Sequence, residues 1–403
     1  MNRIVLIGNG FDLAHGLATS YKDFIDWYWA KVYCFLRDRY TDFYEDKICT
    51  IKLNHSSKWS KFLMSRYNRK PNEFYQFAQD SSYINIETIS LFEEICNSMA
   101  IRKWVDIENI YYKQLNTIKS SHDEVEQLNK ELDIIRGLLT DYLSTEIIVD
   151  DSIRNNSITE KILEPINPKD VMVSDRKYLE EHYNYWYEQD SDANCNHLLN
   201  FLQTTSNLTL GNDIERQKNE GVKYNSRDFN PSSNFFLYPD DILFLNFNYT
   251  KTAELYKKNF KTIYIHGKLE NPESIIFGYG DELDKDYQIL RDYNDNEYLK
   301  NIKSVKYLET DNYRNLLAYI ESAPYQIYIM GHSCGNSDRT LLNTLFEHPN
   351  CVSIKPFYHI KDNGNDNYLD IVQNISRNFT DMKQMRNKVV NKTYCKLLPQ
   401  ANK

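Results

Sequence analysis

Apolar residues cluster in short runs at the start of the chain and again late in it, and each run stops at or near a Gly, Asn or His. Six such runs are visible, and each is short enough to be one strand buried on both faces. Stretches with helical spacing follow most of them, for example residues 310–322 and 339–346. Strands that alternate with helices predict a parallel, doubly wound α/β sheet. The six predicted strands are residues 4–7, 242–248, 262–267, 274–278, 326–331 and 352–357.

The middle of the chain has a different pattern. Apolar residues recur at helical spacing in residues 86–95 and 128–142, which indicates helices. A polar stretch at residues 206–233, interrupted by glycines and an Asn-Pro pair, predicts a long loop that returns the chain to the sheet. The predicted organisation is a nucleotide-binding α/β domain from residues 1–30 and 236–403, with a helical insertion domain of residues 31–235.

Composition narrows the class of protein. A chain of 403 residues with 41% hydrophobic content is globular, and its net charge of −9 argues against binding nucleic acid through bulk electrostatics. No charged leader precedes an apolar segment and no apolar run is long enough to span a bilayer, so we expect a cytoplasmic protein without a membrane partner. The seven cysteines form no C-x-x-C pair, which indicates reduced thiols and no cysteine zinc site.

Gly8-Asn9-Gly10 directly follows the first apolar run. Glycines in this place let the backbone approach the phosphates of a ligand at the next helix N-terminus. The other interpretation is an ordinary strand-turn-helix connection, because a third glycine is missing from the short motif. Ligands of open parallel sheets lie beyond the carboxyl ends of the strands. We therefore expect one crevice where the strand-end residues converge, namely Gly8, Asn248, His266, Gly278 and Gly331.

Six motifs in this order resemble the AbiH family of bacterial abortive-infection proteins. They span residues 7 to 339 and so cover most of the chain. The resemblance implies a function in anti-phage defence, with a phage trigger that the sequence does not identify. The motifs are IGNGFDLAHGLATSYKDF at the start, KWVDIE at 103–108, LNFNYTKTAE at 245–254, YIHGKLE at 264–270, IIFGYGDE at 275–282 and IMGHSCGNSDR at 329–339.

AbiH proteins are similar, more distantly, to sirtuin-like domains that cleave NAD. The pattern of that superfamily is a glycine-rich start, a strand ending in T-x-N-[IY]-D, then H-G, then G-x-S. The resemblance implies a sirtuin-like, Rossmann-type parallel sheet of about six strands with a large helical insertion, and NAD as a substrate with no bound cofactor. The matching residues are Gly8 and Gly10, Asn248, His266 and Gly267, and Gly331 and Ser333.

The chain departs from the superfamily pattern at two positions. Thr250 stands where the acidic residue is usual, and Asn246 stands where Thr or Ser is usual. The orientation of the nicotinamide ribose is therefore expected to differ. Sirtuin deacetylases also carry a four-cysteine zinc module, and the chain has none, so protein deacetylation is not expected.

Cleavage of the bond between ribose and nicotinamide passes through an oxocarbenium-like state, which requires a positioned polar group and the exclusion of bulk water. An imidazole can accept a proton at neutral pH, and an amide can orient the nucleophile without titrating. His266 is thus the predicted general base and Asn248 the predicted orienting group, in an enzyme that hydrolyses NAD to nicotinamide and ADP-ribose. The predicted nucleotide contacts are Gly8, Asn9, Gly10, Phe11, Asp12, His15, Gly267, Gly278, Gly331, Ser333 and Asp338.

Each of these residues has a structural alternative. His266 next to Gly267 is also typical of a hydrogen-bonded core histidine, and Asn248 of a helix cap. Asp12 and His15 at the start of the first helix are equally consistent with a cap and a surface residue. On the predicted helix that contains Trp104 and Glu108, packing with a solvated acid is the expectation, and catalysis is not.

Three other functions stay open. Residues 331–335 match the G-x-S-x-G motif of serine hydrolases, although too little chain follows for the second half of a hydrolase sheet. A ribonuclease is the second alternative, because Arg176 and His182 have the spacing of a nuclease motif. The third is a sensor that binds a nucleotide related to ADP-ribose without turnover. For the NAD-cleaving enzyme the expected partners are NAD or a related nucleotide and a phage trigger, nucleic acid is not expected, and a homo-oligomer is allowed.

Overall fold

The protein is described by a computed structural model that covers residues 1–39, 41–53, 74–80, 83–102, 106–179, 239–256, 260–361 and 363–401. The chain forms two compact units. The first consists of Met1–Gly16, Val149–Lys268 and Tyr307–Lys403, and the second of Leu17–Ile148 and Leu269–Lys306. These bounds differ from the predicted domain division, which stays a prediction.

The strands are β1 (Asn2–Ile7), β2 (Phe43–Glu45), β3 (Cys49–Leu53), β4 (Ile84–Thr88), β5 (Ile242–Asn246), β6 (Lys261–Tyr264), β7 (Tyr325–Met330) and β8 (Cys351–Phe357). The helices up to residue 162 are α1 (Asn9–Ala14), α2 (Tyr21–Asp38), α3 (Phe74–Asp80), α4 (Ser90–Arg102), α5 (Ile107–Thr117), α6 (His122–Glu146) and α7 (Asn156–Ile162). The later helices are α8 (Lys285–Asp292), α9 (Lys303–Lys306), α10 (Asn312–Ser322), α11 (Arg339–Glu347), α12 (Tyr368–Arg377) and α13 (Met382–Lys388). Among the described residues, no helix is both long and apolar enough to cross a membrane.

A parallel sheet of five strands forms the centre of the first unit. Its order is β6-β5-β1-β7-β8, and all four neighbouring pairs are parallel. In order along the chain these are the third, second, first, fourth and fifth strands of the sheet, which is the order of a doubly wound sheet. The order reverses between β1 and β7, where such sheets leave a crevice at their carboxyl edge. The predicted α/β class with a parallel sheet is confirmed.

The number of strands is five in the described part of this sheet, so the prediction of six is wrong. The predicted strand at residues 274–278 is not one: Pro272–Ser274 forms a 3-10 turn, and no ladder continues from it. Ile275, Ile276 and Phe277 are nevertheless buried, each at 5% exposure or less. An apolar run indicates that a segment is buried. Irregular backbone in a core leaves the same apolar pattern in the sequence as a buried strand does.

The second unit contains a small antiparallel sheet that the sequence did not reveal. β3 pairs with β2 on one side and with β4 on the other. The apolar pattern at residues 86–95 predicts one helix, but Ile86 lies in β4 and only Phe92 and Ile95 lie in α4. The helix predicted from residues 128–142 is confirmed, because α6 contains all of them.

Buried charges lie between the sheet and the segment after α7 in the first unit. Arg3 in β1 is fully buried, donates from Nη1 to the carbonyl of Ile162 at 2.6 Å and lies over the Tyr328 ring at 4.1 Å. Lys355 in β8 contacts Glu164 at 3.1 Å and Asp170 at 2.8 Å. Two cations and two carboxylates thus hold this segment on one face of the sheet.

Candidate functional site

The loops after β1 and β7 cross in close contact. The N–H of Gly10 donates to the carbonyl of Gly331 at 2.8 Å, and the N–H of Gly8 to that of Met330 at 3.4 Å. Gly331 has a φ of +78°, and a Cβ there would come within 2.0 Å of the Phe11 nitrogen. The glycines therefore permit the crossing itself. The N–H groups of Gly8 and Gly10 already donate to the neighbouring loop, and the predicted approach of this backbone to the phosphates of a ligand stays a prediction.

The end of β5 is fastened to the end of β1 by two asparagines. The side-chain amide of Asn248 donates to the carbonyl of Gly8 at 3.0 Å. Asn246 supports this geometry, because its Oδ1 accepts the Asn248 N–H at 3.0 Å and its Nδ2 donates to the carbonyl of Thr250 at 3.3 Å. Asn246 thus shapes the loop that presents Asn248.

Asp12 is buried beneath this loop, with 1% of its surface exposed. The Thr250 hydroxyl donates to its Oδ2 at 2.6 Å, whereas Oδ1 has no hydrogen-bond partner among the described residues. Burial raises the pKa of Asp12 to about 6, and hydrogen bonds from Thr250, Thr252 and Asn248 offset part of that rise. The carboxyl group is therefore on the α1 side of the loop, in contact with the threonine that stands where an acid is usual.

His15 and Phe11 belong to the core of the first unit. Nδ1 of His15 must donate to the carbonyl of Phe11, which only accepts, at 2.7 Å. Its Nε2 then accepts from the Tyr256 hydroxyl at 2.6 Å, and that hydroxyl accepts the Asn155 N–H at 2.9 Å. Because both ring nitrogens are engaged and the pKa of His15 is lowered by burial, the neutral ring serves packing. Its predicted contact with a nucleotide stays a prediction.

His266, Asp338 and His332 form a buried cluster, which we name the His–Asp–His cluster. Nε2 of His266 lies 3.2 Å from Oδ1 of Asp338, and Nε2 of His332 lies 3.5 Å from Oδ2 of the same carboxylate. All three residues are less than 9% exposed. His266 follows β6, while His332 and Asp338 follow β7, so parallel strands place their ends, and with them this chemistry, at one edge. A carboxylate between two imidazoles is an arrangement that can hold and move a proton.

Two aromatic residues surround the cluster. The ring of Phe247, directly after β5, lies 5.1 Å from the His266 ring and 4.3 Å from the His332 ring. The Tyr307 hydroxyl lies 3.3 Å from Nε2 of His266, the nitrogen that also faces Asp338. The cluster is thus packed on an apolar ring and reached by a second polar group.

The remaining predicted residues lie in different places. Gly267 takes a positive φ of +84° in the turn after β6. Ser333 is exposed, and its hydroxyl has no hydrogen bond within the described residues, so no imidazole activates it there. Gly278 belongs to the second unit, where a Cβ would come within 2.0 Å of the Asn301 carbonyl oxygen. His182 of the nuclease alternative lies outside the described residues.

The structure places three residues, Glu108, His332 and Asp338, in surroundings that the sequence did not reveal. Glu108 was expected to be solvated, but it is buried and contacts Lys303 at 2.9 Å in the second unit. His332 was not predicted at all. Its signal was present in Gly331-His332-Ser333, at the end of a buried strand, but the G-x-S-x-G pattern directed attention to the serine. Asp338 lies between two imidazoles, and its predicted contact with a nucleotide stays a prediction.

The fold and the His–Asp–His cluster define the class of protein. It is an α/β protein with a doubly wound parallel sheet that carries buried histidine and aspartate side chains at its carboxyl edge. Residues 4–359 match the model of the family described as bacteriophage abortive infection AbiH. The chain therefore belongs to the AbiH family, and the resemblance in its six motifs is confirmed. No curated protein and no solved structure matches it.

Proposed function

We propose that this AbiH protein acts in abortive infection by hydrolysing NAD, with His266 as the general base. The observation that supports an acid–base role is the contact of the buried His266 imidazole with Asp338 at 3.2 Å, at a strand end of the parallel sheet. A carboxylate in that position stabilises the imidazolium ion that forms when the ring accepts a proton. The choice of NAD rests on the superfamily resemblance.

The reaction consumes one water. His266 accepts a proton from the water as its oxygen bonds to the anomeric carbon of the ribose, and the bond from that carbon to nicotinamide breaks with the electron pair passing to the pyridine nitrogen. The products are nicotinamide, ADP-ribose and a proton that leaves through His266. Asn248 lies on the neighbouring strand end as the proposed orienting amide, held by its bond to Gly8.

Substitution of His266 needs care because only 5% of the residue is exposed and its removal takes a partner from Asp338. His266→Ala opens a space and leaves the carboxylate less well paired. His266→Gln retains a donor at the position of Nε2 but cannot titrate, so it tests base catalysis with less disturbance of the fold. His122→Ala is the matched control, since this histidine is 60% exposed and lies in the second unit.

The experiment is to incubate the purified chain with NAD, NADP, ATP and RNA, with and without phage lysate, and to measure NAD and survival in infected cells. We expect His266→Gln and Asn248→Ala each to slow NAD cleavage by about 100- to 10,000-fold, and the double variant to be little worse than either. His122→Ala should cleave NAD as the wild type does. Full protection by a well-folded His266→Gln protein would refute the mechanism, and RNA cleavage with unchanged NAD would favour the nuclease.

A further inference from the structure

The directions of the hydrogen bonds in the His–Asp–His cluster follow from a single backbone donor. The N–H of Cys334 lies 3.0 Å from Nδ1 of His332 and can only donate. Nδ1 of His332 must therefore carry a lone pair, so the ring proton is on Nε2 and faces Oδ2 of Asp338 at 3.5 Å. Asp338 turns its other oxygen, Oδ1, to Nε2 of His266.

The backbone holds this donor in a strained conformation. Cys334 has a φ of +55°, which is an unfavourable conformation for a residue with a side chain. Its carbonyl accepts from the side-chain amide of Asn378 at 2.9 Å, and Asn378 is fully buried. The folded chain therefore retains an unfavourable backbone conformation at Cys334, and this conformation directs the Cys334 N–H toward His332.

Space for His332 is provided by Gly8. A Cβ at Gly8 would lie 2.6 Å from Cα and 2.8 Å from Cδ2 of His332, closer than real atoms approach. The first glycine of the Gly8-Asn9-Gly10 motif thus makes room for an imidazole, and this is a role that does not depend on any phosphate.

We propose that His332 is a positioning residue: it orients the side chain at position 338 through one oxygen, so that the other oxygen of Asp338 accepts from Nε2–H of His266. The Cys334 N–H donates to Nδ1 of His332, Nε2–H of His332 faces Oδ2 of Asp338 at 3.5 Å, and Oδ1 is left as the acceptor for Nε2–H of His266. Both nitrogens of His332 are used in these contacts, so His332 acts on substrate only through His266. The inference rests on the proposed function for its catalytic meaning, but the proton position can be measured without turnover.

Asp338→Asn gives the sharpest test. His332 still presents an N–H to position 338, so the new amide must turn its oxygen to His332 and its NH2 to His266. Nε2 of His266 then has to accept, and its proton moves to Nδ1. The double variant Asp338→Asn with His332→Asn should reverse this change. Asn at 332 can still accept from the Cys334 N–H but has no donor at the position of Nε2, so the amide at 338 is free to rotate.

The measurement is the nitrogen chemical shift of each histidine ring in the full chain labelled with 15N-histidine, recorded at a pH where the rings are neutral. We expect His266 to carry its proton on Nε2 in the wild type and in His332→Asn, on Nδ1 in Asp338→Asn, and again on Nε2 in the double variant. Circular dichroism and the melting temperature of each variant check folding, and His122→Ala serves as the unaffected control.

NAD cleavage is followed in the same proteins. Asp338→Asn should lose up to about 10,000-fold, the order seen when an Asp→Asn change gives a catalytic histidine the wrong tautomer, and the double variant should recover part of it. If the His266 proton moves to Nδ1 in Asp338→Asn and stays there in the double variant, the proposed role of His332 is overturned. A wild-type His266 ring with its proton on Nδ1 would overturn it as well. The expected proton positions in a chain that never cleaves NAD would support the positioning role and refute the proposed reaction.

Discussion

Ionisation of Asp12 is predicted to oppose folding, and the substitution that tests this is Asp12→Asn. The buried carboxyl has a pKa of about 6 in the folded chain and an ordinary value of 3.8. The folded state therefore binds a proton more tightly than the unfolded state between these values. Stability from this group is present at low pH and is lost as the pH rises through about 6, which is the reverse of the usual case for an acid.

The size of the effect follows from the two pKa values. A difference of roughly two units corresponds to about 3 kcal/mol between the acidic and the alkaline limits. About 2 kcal/mol of this free-energy difference should appear between pH 4.5 and pH 7.5, because Asp12 in the folded chain releases most of its proton in that range. Asp12→Asn cannot titrate, so it lacks this pH dependence while the other acids of the chain are retained.

The assay is urea unfolding of the wild type and Asp12→Asn at a series of pH values. The quantity of interest is the difference in unfolding free energy between the two proteins at each pH. A constant cost of the new amide, for example an unpaired N–H, shifts that difference equally at every pH and so cancels from its slope. We expect the variant to gain about 2 kcal/mol relative to the wild type from pH 4.5 to 7.5. Parallel curves would show that the carboxyl titrates as it does in water and refute the reasoning.

Four substitutions test the packing by their unfolding midpoints. Gly331→Ala introduces both backbone strain and a clash at 2.0 Å with backbone, so the free energy of unfolding should fall by more than about 4 kcal/mol. Gly364 has a φ of +83° but open space around it, so Gly364→Ala should lower the free energy of unfolding by about 1–2 kcal/mol. Gly137→Ala, in the middle of α6 with nothing within 4 Å, should instead stabilise by about 0.5–1 kcal/mol, and equal effects at the three glycines would contradict this ranking. Lys355→Met leaves Asp170 without its buried cation and should cost about 3–5 kcal/mol, so an unchanged midpoint would show that the buried charges contribute nothing.

The parallel sheet was predictable because its strands are buried on both faces. Every residue of β1, β5, β7 and β8 is buried, and such strands leave mainly apolar runs in a sequence. The small sheet of the second unit was not predictable by the same reasoning. β2 has only three residues, and β4 buries one of its five, so neither leaves a run that stands out from helical spacing.

The candidate site was predictable in its location and only partly in its chemistry. His266 and Asn248 were predicted as site residues because they end predicted strands in family motifs, and their roles stay predictions. The link between His266 and Asp338 joins residues 72 positions apart through side chains, and no local pattern encodes such a contact. His332 was overlooked for a related reason, since its meaning depends on the proton direction set by the Cys334 N–H, which only backbone geometry reveals.

The central position of β1 has a consequence for synthesis of the chain on the ribosome. β1 is made before the other four strands of its sheet, its neighbours β5 and β7 are made much later, and the side chains of Arg3 and Gln326 that meet across the β1–β7 pair are 323 residues apart. At about 5–20 residues per second, roughly 15–65 s pass before β7 exists. Until β5 has been made, β1 has no partner on either edge, and throughout the interval Gly8 has no His332 to accommodate. The His–Asp–His cluster therefore cannot assemble before residue 338 has been made, so any activity that depends on it begins only after that point of synthesis.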